Sequence, residues 1–200
     1  DVGGKVVPSF HPLTPLDISR TRITNGALRS ISRLENLQVL IASGNLITDD
    51  GMRELAASKN LRFLDLSSTL VEDAGMKDLA KIQSLQILRL LSAKTTDDGL
   101  KELAAAENLR NLDLGFTGVT AAGMKSLARL KKLQSLTLIR TQVTDAGLKS
   151  LSTLPDLQFL NLSLNTISDE GLKELAGMKK LYMLNLGGTQ VTDNGMKALA

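Results

Sequence analysis

The chain has 200 residues, a formal net charge of +3, 22% charged residues and 2% aromatics, so a mixed surface must cover an interior built almost without rings. With no Cys, no Trp and one His, it excludes disulfides, thiolate metal sites, thiol nucleophiles and His-based metal clusters, and leaves little room for a His-dependent triad. No apolar run approaches the roughly 18 residues of a membrane span.

Leucine supplies the order. Leu accounts for 40 residues, and a Leu-only interior predicts a thin, stacked core rather than a compact one filled by large side chains. Residues 1–12 read as an N-terminal cap or linker, with Val6, Val7 and Phe10 available to cover the first unit of the array and His11 an isolated surface residue. From residue 13 the chain repeats. Leu stands at 13, 37, 61, 85, 109, 133, 157 and 181, each 24 residues after the last, and a second Leu comes three residues later every time, from Leu16 to Leu184. Ile18, Ala42, Leu66, Leu90, Leu114, Leu138, Leu162 and Leu186 complete the pattern. Positions 13–200 therefore form seven full units and a shorter eighth.

Each unit reads L-x-x-L-x-L-x-x-T-x-V-T-D-x-G-L-K-x-L-A. The L-x-L segment alternates with period two and predicts a short strand with its leucines on one face. Spacing then becomes helical: Leu28, Ile31 and Leu34 stand three apart, as do Leu148, Leu151 and Leu154. Between strand and helix, Thr48, Thr144 and Thr192 are predicted N-caps, and the Asp after each complements the positive end of the helix dipole. Gly51, Gly75, Gly99, Gly123, Gly147, Gly171 and Gly195 fall in the first turn, where Gly is disfavoured unless a neighbour approaches closely. Ala56, Ala80, Ala104, Ala128 and Ala176 suit the same thin packing. One unit cannot bury enough apolar surface to offset the entropy of ordering its own backbone, so the units must stack. Parallel strands ~4.8 Å apart beside helices needing ~8–10 Å bend such a stack, with the strands inside the curve.

These registered copies resemble the leucine-rich repeat family, and the T-D-x-G-L-K-x-L-A half is similar to the bacterial 24-residue type seen in planctomycete proteins and in some bacterial F-box effectors. The Gly3-Gly4-Lys5-Val6-Val7 start resembles the region preceding such arrays. The resemblance implies an α/β solenoid, a curved horseshoe with a parallel inner sheet and short outer helices. It also implies that Thr21, Thr69, Thr117, Thr141 and Thr189, with Asn45 and Asn165, occupy the family's Asn/Cys position and hydrogen-bond the turning backbone in a ladder. Ala93 and Thr95 depart from the ladder and from the Val position, so the fourth unit is expected to be weak.

No phosphate-binding loop, zinc-protease, nucleophile-elbow or paired-Cys motif is present, and no catalytic residue, metal site or cofactor is expected. The candidate site is a surface. Positions 3, 5 and 7 of each unit are predicted to point away from the buried leucines, which places Val39, Phe63, Ile87, Phe159 and Met183 outside as apolar anchors. Ile41, Leu91 and Ile139 share that face, Phe116, Leu164 and Tyr182 lie beside it, and Arg89 and Tyr182 would give orientation. Four of the chain's five aromatics fall there although the buried face needed none, which favours a contact surface over incidental strand composition. Asp65, Arg89 and Asp113 share position 5 and are expected to neutralise one another across strands.

On the opposite side position 17 is basic in every unit: Arg29, Arg53, Lys77, Lys101, Lys125, Lys149, Lys173 and Lys197. Interleaved carboxylates and the small net charge disfavour nucleic acid and favour a solvated helix face, and helix capping accounts for Asp49, Asp50, Asp97 and Asp98 better than Ca²⁺ does. The sequence thus predicts a non-catalytic scaffold for a protein partner. Two alternatives stand beside it: the recognition part of a larger enzyme or ubiquitin-ligase adaptor, and anion binding by the basic ladder. A start without Met and a stop inside the eighth unit read as a fragment, the bare Leu184 and Leu186 leave end-to-end association open, and the compartment is undetermined.

Overall fold

A computed structural model describes residues 15–198; the proposed cap, His11 and Leu13 lie outside the described residues. Eight strands, β1 (Leu16–Asp17), β2 (Val39–Ile41), β3 (Phe63–Asp65), β4 (Ile87–Arg89), β5 (Asn111–Asp113), β6 (Ser135–Thr137), β7 (Phe159–Asn161) and β8 (Met183–Asn185), form one parallel sheet in chain order. Each is followed by a helix: α1 (Asn25–Ile31), α2 (Asp49–Leu55), α3 (Asp73–Leu79), α4 (Asp97–Leu103), α5 (Met124–Leu127), α6 (Asp145–Leu151), α7 (Asp169–Leu175) and α8 (Asp193–Met196). The sheet stays open, and pairing joins each residue to the one 24 later, as in Leu40↔Leu64↔Leu88↔Leu112. This is the predicted solenoid.

The core is one continuous column. Leu40, Leu64, Leu88, Leu136 and Leu160 are fully buried under the strands, and Leu28, Met52, Met76, Leu100, Met124, Leu148 and Leu172 meet them from the helices. Among the alanines, Ala80 and Ala104 are buried, Ala56 and Ala128 half-buried and Ala176 exposed. Leu34, predicted to extend the apolar stripe of α1, is 39% exposed beyond that helix's end. The strands themselves are shorter than the predicted alternation: β2 to β8 cover positions 3–5 and β1 positions 4–5, and position 7 lies past their ends. The ladder nevertheless continues, with Leu66 N–H donating to Arg89 O at 2.9 Å and Ser68 N–H to Leu91 O at 2.8 Å.

Position 8, where the chain leaves the sheet, is left-handed in all eight units: Arg20, Ser68, Ser92, Phe116, Arg140 and Leu164 have φ from 47° to 60°, and Gly44 and Gly188 have 67° and 71°. Position 9 then turns inward as the ladder residue. The structure divides its labour. Thr69 and Thr117 hydroxyls donate within their own unit, to Leu66 O at 2.6 Å and Leu114 O at 2.7 Å. Bonds between units at this position involve the longer Asn side chains: Asn45 donates to Ile18 O and Ala42 O at 2.8 and 2.9 Å and Asn165 to Leu138 O and Leu162 O at 2.6 and 3.0 Å, while their Oδ1 atoms accept from the Thr21 and Thr141 hydroxyls at 3.1 and 3.0 Å.

The Thr-Asp pair does something other than what its sequence suggests. Thr48, Thr144 and Thr192 occupy N-cap positions, yet of these three only Thr192 accepts from its own helix, from Asn194 N–H at 3.3 Å. The Asp at the first helical residue instead clamps the next unit: Asp73 accepts from Thr96 N–H at 2.7 Å and Thr96 Oγ1 at 2.6 Å, and Asp97, Asp145 and Asp169 repeat the arrangement on Thr120, Ser168 and Thr192. Here lies the reason for the first-turn glycine: a Cβ on Gly75 would stand 2.6 Å from Asp49 Oδ1. At Gly75, Gly99, Gly123, Gly171 and Gly195 the close approach inferred from sequence is that of a carboxylate from the preceding unit, whereas Gly51 meets Leu28 and Asn25 and Gly147 meets Met124 and Ala121.

Two places break these regularities. Ala121 stands where the clamp Asp belongs, and α5 is reduced to four residues. In the fourth unit Ala93 cannot continue the position-9 ladder, and Thr95, wholly buried in a column otherwise made of Ile and Val, has an Oγ1 without a partner. An unpaired buried hydroxyl costs about 1–3 kcal/mol. Thr95→Val keeps the shape and removes the hydroxyl, so it is expected to stabilise the protein by roughly 1–2 kcal/mol, seen as a higher urea midpoint at unchanged slope.

The clamp also sets a pH dependence. Hydrogen bonds from the Thr192 backbone and side chain hold the Asp169 carboxyl below its ordinary value of 3.8. A depressed folded value stabilises the fold above the ordinary value, and the contribution disappears as pH falls through the folded one. Carboxyl NMR is expected to give Asp169 a midpoint below 3.8, and Thr192→Ala is expected to move it upward.

Candidate interaction surface

The inner face of the sheet is built from side chains that alternate with the buried leucines. Register places Val39, Phe63 and Ile87 side by side on β2, β3 and β4, and all three are half-buried. Phe159 and Met183 neighbour each other on β7 and β8, Phe159 half-buried and Met183 50% exposed. Asn111 and Ser135 occupy the strands between, so the apolar anchors form two patches with a polar gap rather than one stripe. Ile41 extends the first patch by one position along β2.

The remaining candidates are dispersed. Leu91 and Ile139, at position 7, are half-buried just beyond β4 and β6. Phe116 is 45% exposed at the left-handed position 8, outside the strand altogether. Tyr182 precedes β8 and is 73% exposed. The sheet brings together Val39, Ile41, Phe63, Ile87 and Arg89, separately Phe159 and Met183, and leaves Phe116 on the rim.

Arg89 has two partners. Its guanidinium lies 5.2 Å from the Phe63 ring centroid, within the range of a cation–π contact, while its nearest approach to Asp65 is 3.9 Å. The expected neutralisation by both acids is thus limited to one loose pair; Asp113 is the in-register neighbour on β5. The position-5 acids are committed elsewhere: Asp65 and Asp113 accept from Ser67 N–H and Gly115 N–H at 2.9 Å, turning the chain at the strand's end, and Asn161 and Asn185 do the same. Burial pushes the Asp113 carboxyl above its ordinary value, opposed by the Gly115 N–H and by Arg89. Phe63, Ile87, Arg89, Asn111, Asp113 and Thr137 line a shallow hollow of about 180 Å³.

Sequence reasoning missed three large exposed side chains, Met196 at 44% in the last helix, and Leu46 at 64% and Leu70 at 41% on the rim. Leu46 and Leu70 stand at position 10, where the other units carry Arg22, Lys94, Gly118, Gln142, Thr166 and Gln190; that departure from a column without other apolar side chains was the available signal. On the helical side, the eight position-17 cations are exposed. Arg29, Arg53, Lys101 and Lys173 have carboxylates at 3.7, 3.6, 2.5 and 2.6 Å, and the hydrogen bond that Lys101 donates to Asp98 raises its ammonium above its ordinary value. The expected solvated, charge-compensated face is present over these four units. A larger hollow of about 740 Å³ lies by Arg29, Arg33, Leu34, Arg53, Glu54 and Lys59, away from the sheet. No helix among the described residues is long and apolar enough to cross a membrane.

Comparison with known proteins agrees with this geometry. The family model described as Leucine Rich repeat matches residues 57–80, 105–128, 153–176 and 179–200. No curated protein matches the chain. Among solved structures, internalin C2 from Listeria monocytogenes is 29% identical with a TM-score of 0.77, over 93% of this chain and 76% of that one. The plant peptide hormone receptor RGFR1, solved in complex with RGF2, shares the fold at 20% identity and a TM-score of 0.55, over 86% of this chain and 32% of the receptor. Leucine-rich repeat domains bind protein partners and are typically non-catalytic scaffolds. The unbroken 24-residue register, the open parallel sheet and the matched repeats together make this chain a leucine-rich repeat solenoid.

Proposed function

We propose that the chain is a non-catalytic scaffold that holds a protein partner against the inner face of its sheet. The observation that carries this reading is the in-register row Val39, Phe63 and Ile87, which ends on the hollow beside Arg89. The buried face of every strand is satisfied by aliphatic side chains, so a ring at position 3 contributes nothing to the column of leucines. Half-buried, neighbouring apolar groups with a cation held over one of them supply both desolvation energy and direction to an incoming surface. Phe159 and Met183, with Ile41, Leu91, Ile139 and Tyr182 at the margins, would extend the contact area toward both ends. The resources of this face are shape, apolar area and charge, which suit recognition rather than bond chemistry.

The test uses binders selected from a displayed peptide library on the wild-type protein. The double variant Phe63→Ser/Ile87→Ser is expected to weaken most of them by roughly tenfold or more, the loss of about 1.4 kcal/mol, while circular dichroism and thermal unfolding report a retained fold. Lys125→Ser/Lys149→Ser on the helical side is expected to leave them unchanged. Binders that ignore the first variant and respond to the second would overturn the reading.

A further inference from the structure

The edge where the chain leaves the sheet has a chemistry different from the inner face. Positions 8 and 10 flank the inward-turned ladder residue, so both lie on the solvent side of this rim. Phe116 and Leu164 at position 8 are 45% and 52% exposed, and Leu46 and Leu70 at position 10 are 64% and 41% exposed. Positions 7–10 of the eight units also hold Arg20, Arg22, Lys94 and Arg140 and not one carboxylate. Arg140 lies 5.9 Å from the Phe116 ring centroid, and among the described residues no acid lies within salt-bridge distance of Arg20, Arg22 or Arg140, whereas Lys94 is paired with Glu72 at 2.9 Å.

The backbone of this edge is equally unusual. Position 8 is left-handed throughout, with φ of 57° at Phe116 and 60° at Leu164. This is a conformation that suits Gly and penalises bulky residues. Gly44 and Gly188 show that Gly fits the same place in this array. The fold therefore carries two large apolar side chains where they strain the backbone and gain little burial, an arrangement that folding alone does not favour.

Resting on the reading of the chain as a protein-binding scaffold, we propose that this rim receives an acidic segment of a protein partner, its apolar side chains seated on Phe116 and Leu164 and its carboxylates on Arg140 and Arg20. Charge complementarity selects the acid: among the described residues, three of the rim's four cations, Arg20, Arg22 and Arg140, have no carboxylate within salt-bridge distance, and only Lys94 is paired, with Glu72. Spacing selects a polyproline-II-like segment, because Phe116 and Leu164 are two units apart, ~10 Å at the usual strand separation, and a rise of about 3.1 Å with three residues per turn returns every third side chain to the same face after roughly 9 Å. An anionic lipid surface would meet the same charges, but four cations spread over a curved edge of eight units fall short of the dense basic cluster that lipid recognition uses.

The probes are synthetic nine-residue peptides with two Leu three residues apart and either Asp/Glu, Lys/Arg or Ser at the remaining positions, together with phosphatidylcholine vesicles with and without phosphatidylserine. Wild-type protein is expected to bind the acidic peptides and not the basic or Ser ones. Phe116→Gly/Leu164→Gly, which substitutes the residue already tolerated at Gly44 and Gly188, is expected to weaken them by roughly 10–100-fold with equal or higher thermal stability, and Arg140→Glu is expected to weaken the acidic peptides selectively. Phe63→Ser/Ile87→Ser is expected to leave them unchanged. Binding without class preference would overturn the proposal, as would acidic-peptide binding that survives the Gly variant. If Phe63→Ser/Ile87→Ser alone abolishes that binding, the rim is excluded while the inner-face reading stands. Retention on phosphatidylserine vesicles that depends on Phe116 and Leu164, without peptide binding, would replace a protein partner by a lipid surface.

Discussion

A slab of 24 residues has two flat faces and nothing of its own to cover them. Every other property of this protein derives from that dependence. Leu64 is buried because Leu40 and Leu88 stand in register on either side, and the N–H groups of one strand are satisfied by the carbonyls of the next. Register is therefore enforced at each step by packing and hydrogen bonding together, and an insertion anywhere would slide one set of partners past the other. Stability in such an array is a sum of neighbouring interfaces, so a local fault stays local instead of being averaged over a common core.

Polar side chains reinforce the interfaces on two sides of the leucine column. Near the sheet the Thr and Asn at position 9 absorb the carbonyls exposed by the left-handed turn; near the helices the Asp carboxylates tie each first turn to the following unit. The second device depends on glycine, since any Cβ at Gly75 would occupy the carboxylate's place. Faults in the two devices occur close together, at Ala93 and Thr95 in the fourth unit and at Ala121 in the fifth, where α5 is also shortest among the mid-array helices. The middle of the array is thus held mainly by its leucines.

Because the interior is satisfied by aliphatic side chains, the few rings are released to the surface. Phe63 and Phe159 lie on the inner face, while Phe116 is lifted to the rim by a backbone that turns left-handed just before the ladder residue. Two neighbouring surfaces with different chemistry result: an inner face of mixed apolar and self-satisfied polar groups, and an edge where apolar side chains alternate with cations. Arginine bridges the two kinds of group in both places, over Phe63 and over Phe116.

The repeat length, the number of units, the open parallel stack and the identity of the buried leucines were all legible in the sequence, because a fixed 24-residue spacing leaves one way to bury the leucines that recur with it. Sequence also placed Val39, Phe63 and Ile87 on the inner face, since alternation within L-x-L assigns them to the side opposite the leucines. It placed the Asp of the helix start in the first turn, where it stands, but did not reveal that the same carboxylate clamps the next unit, and it put Phe116 beside the inner sheet face without showing that it stands on the rim. Those features belong to the tertiary structure, because they depend on how far one unit is offset from its neighbour and on the sign of φ at a single turning residue. A one-dimensional pattern records which residues recur; only the stacked backbone decides which unit each side chain reaches.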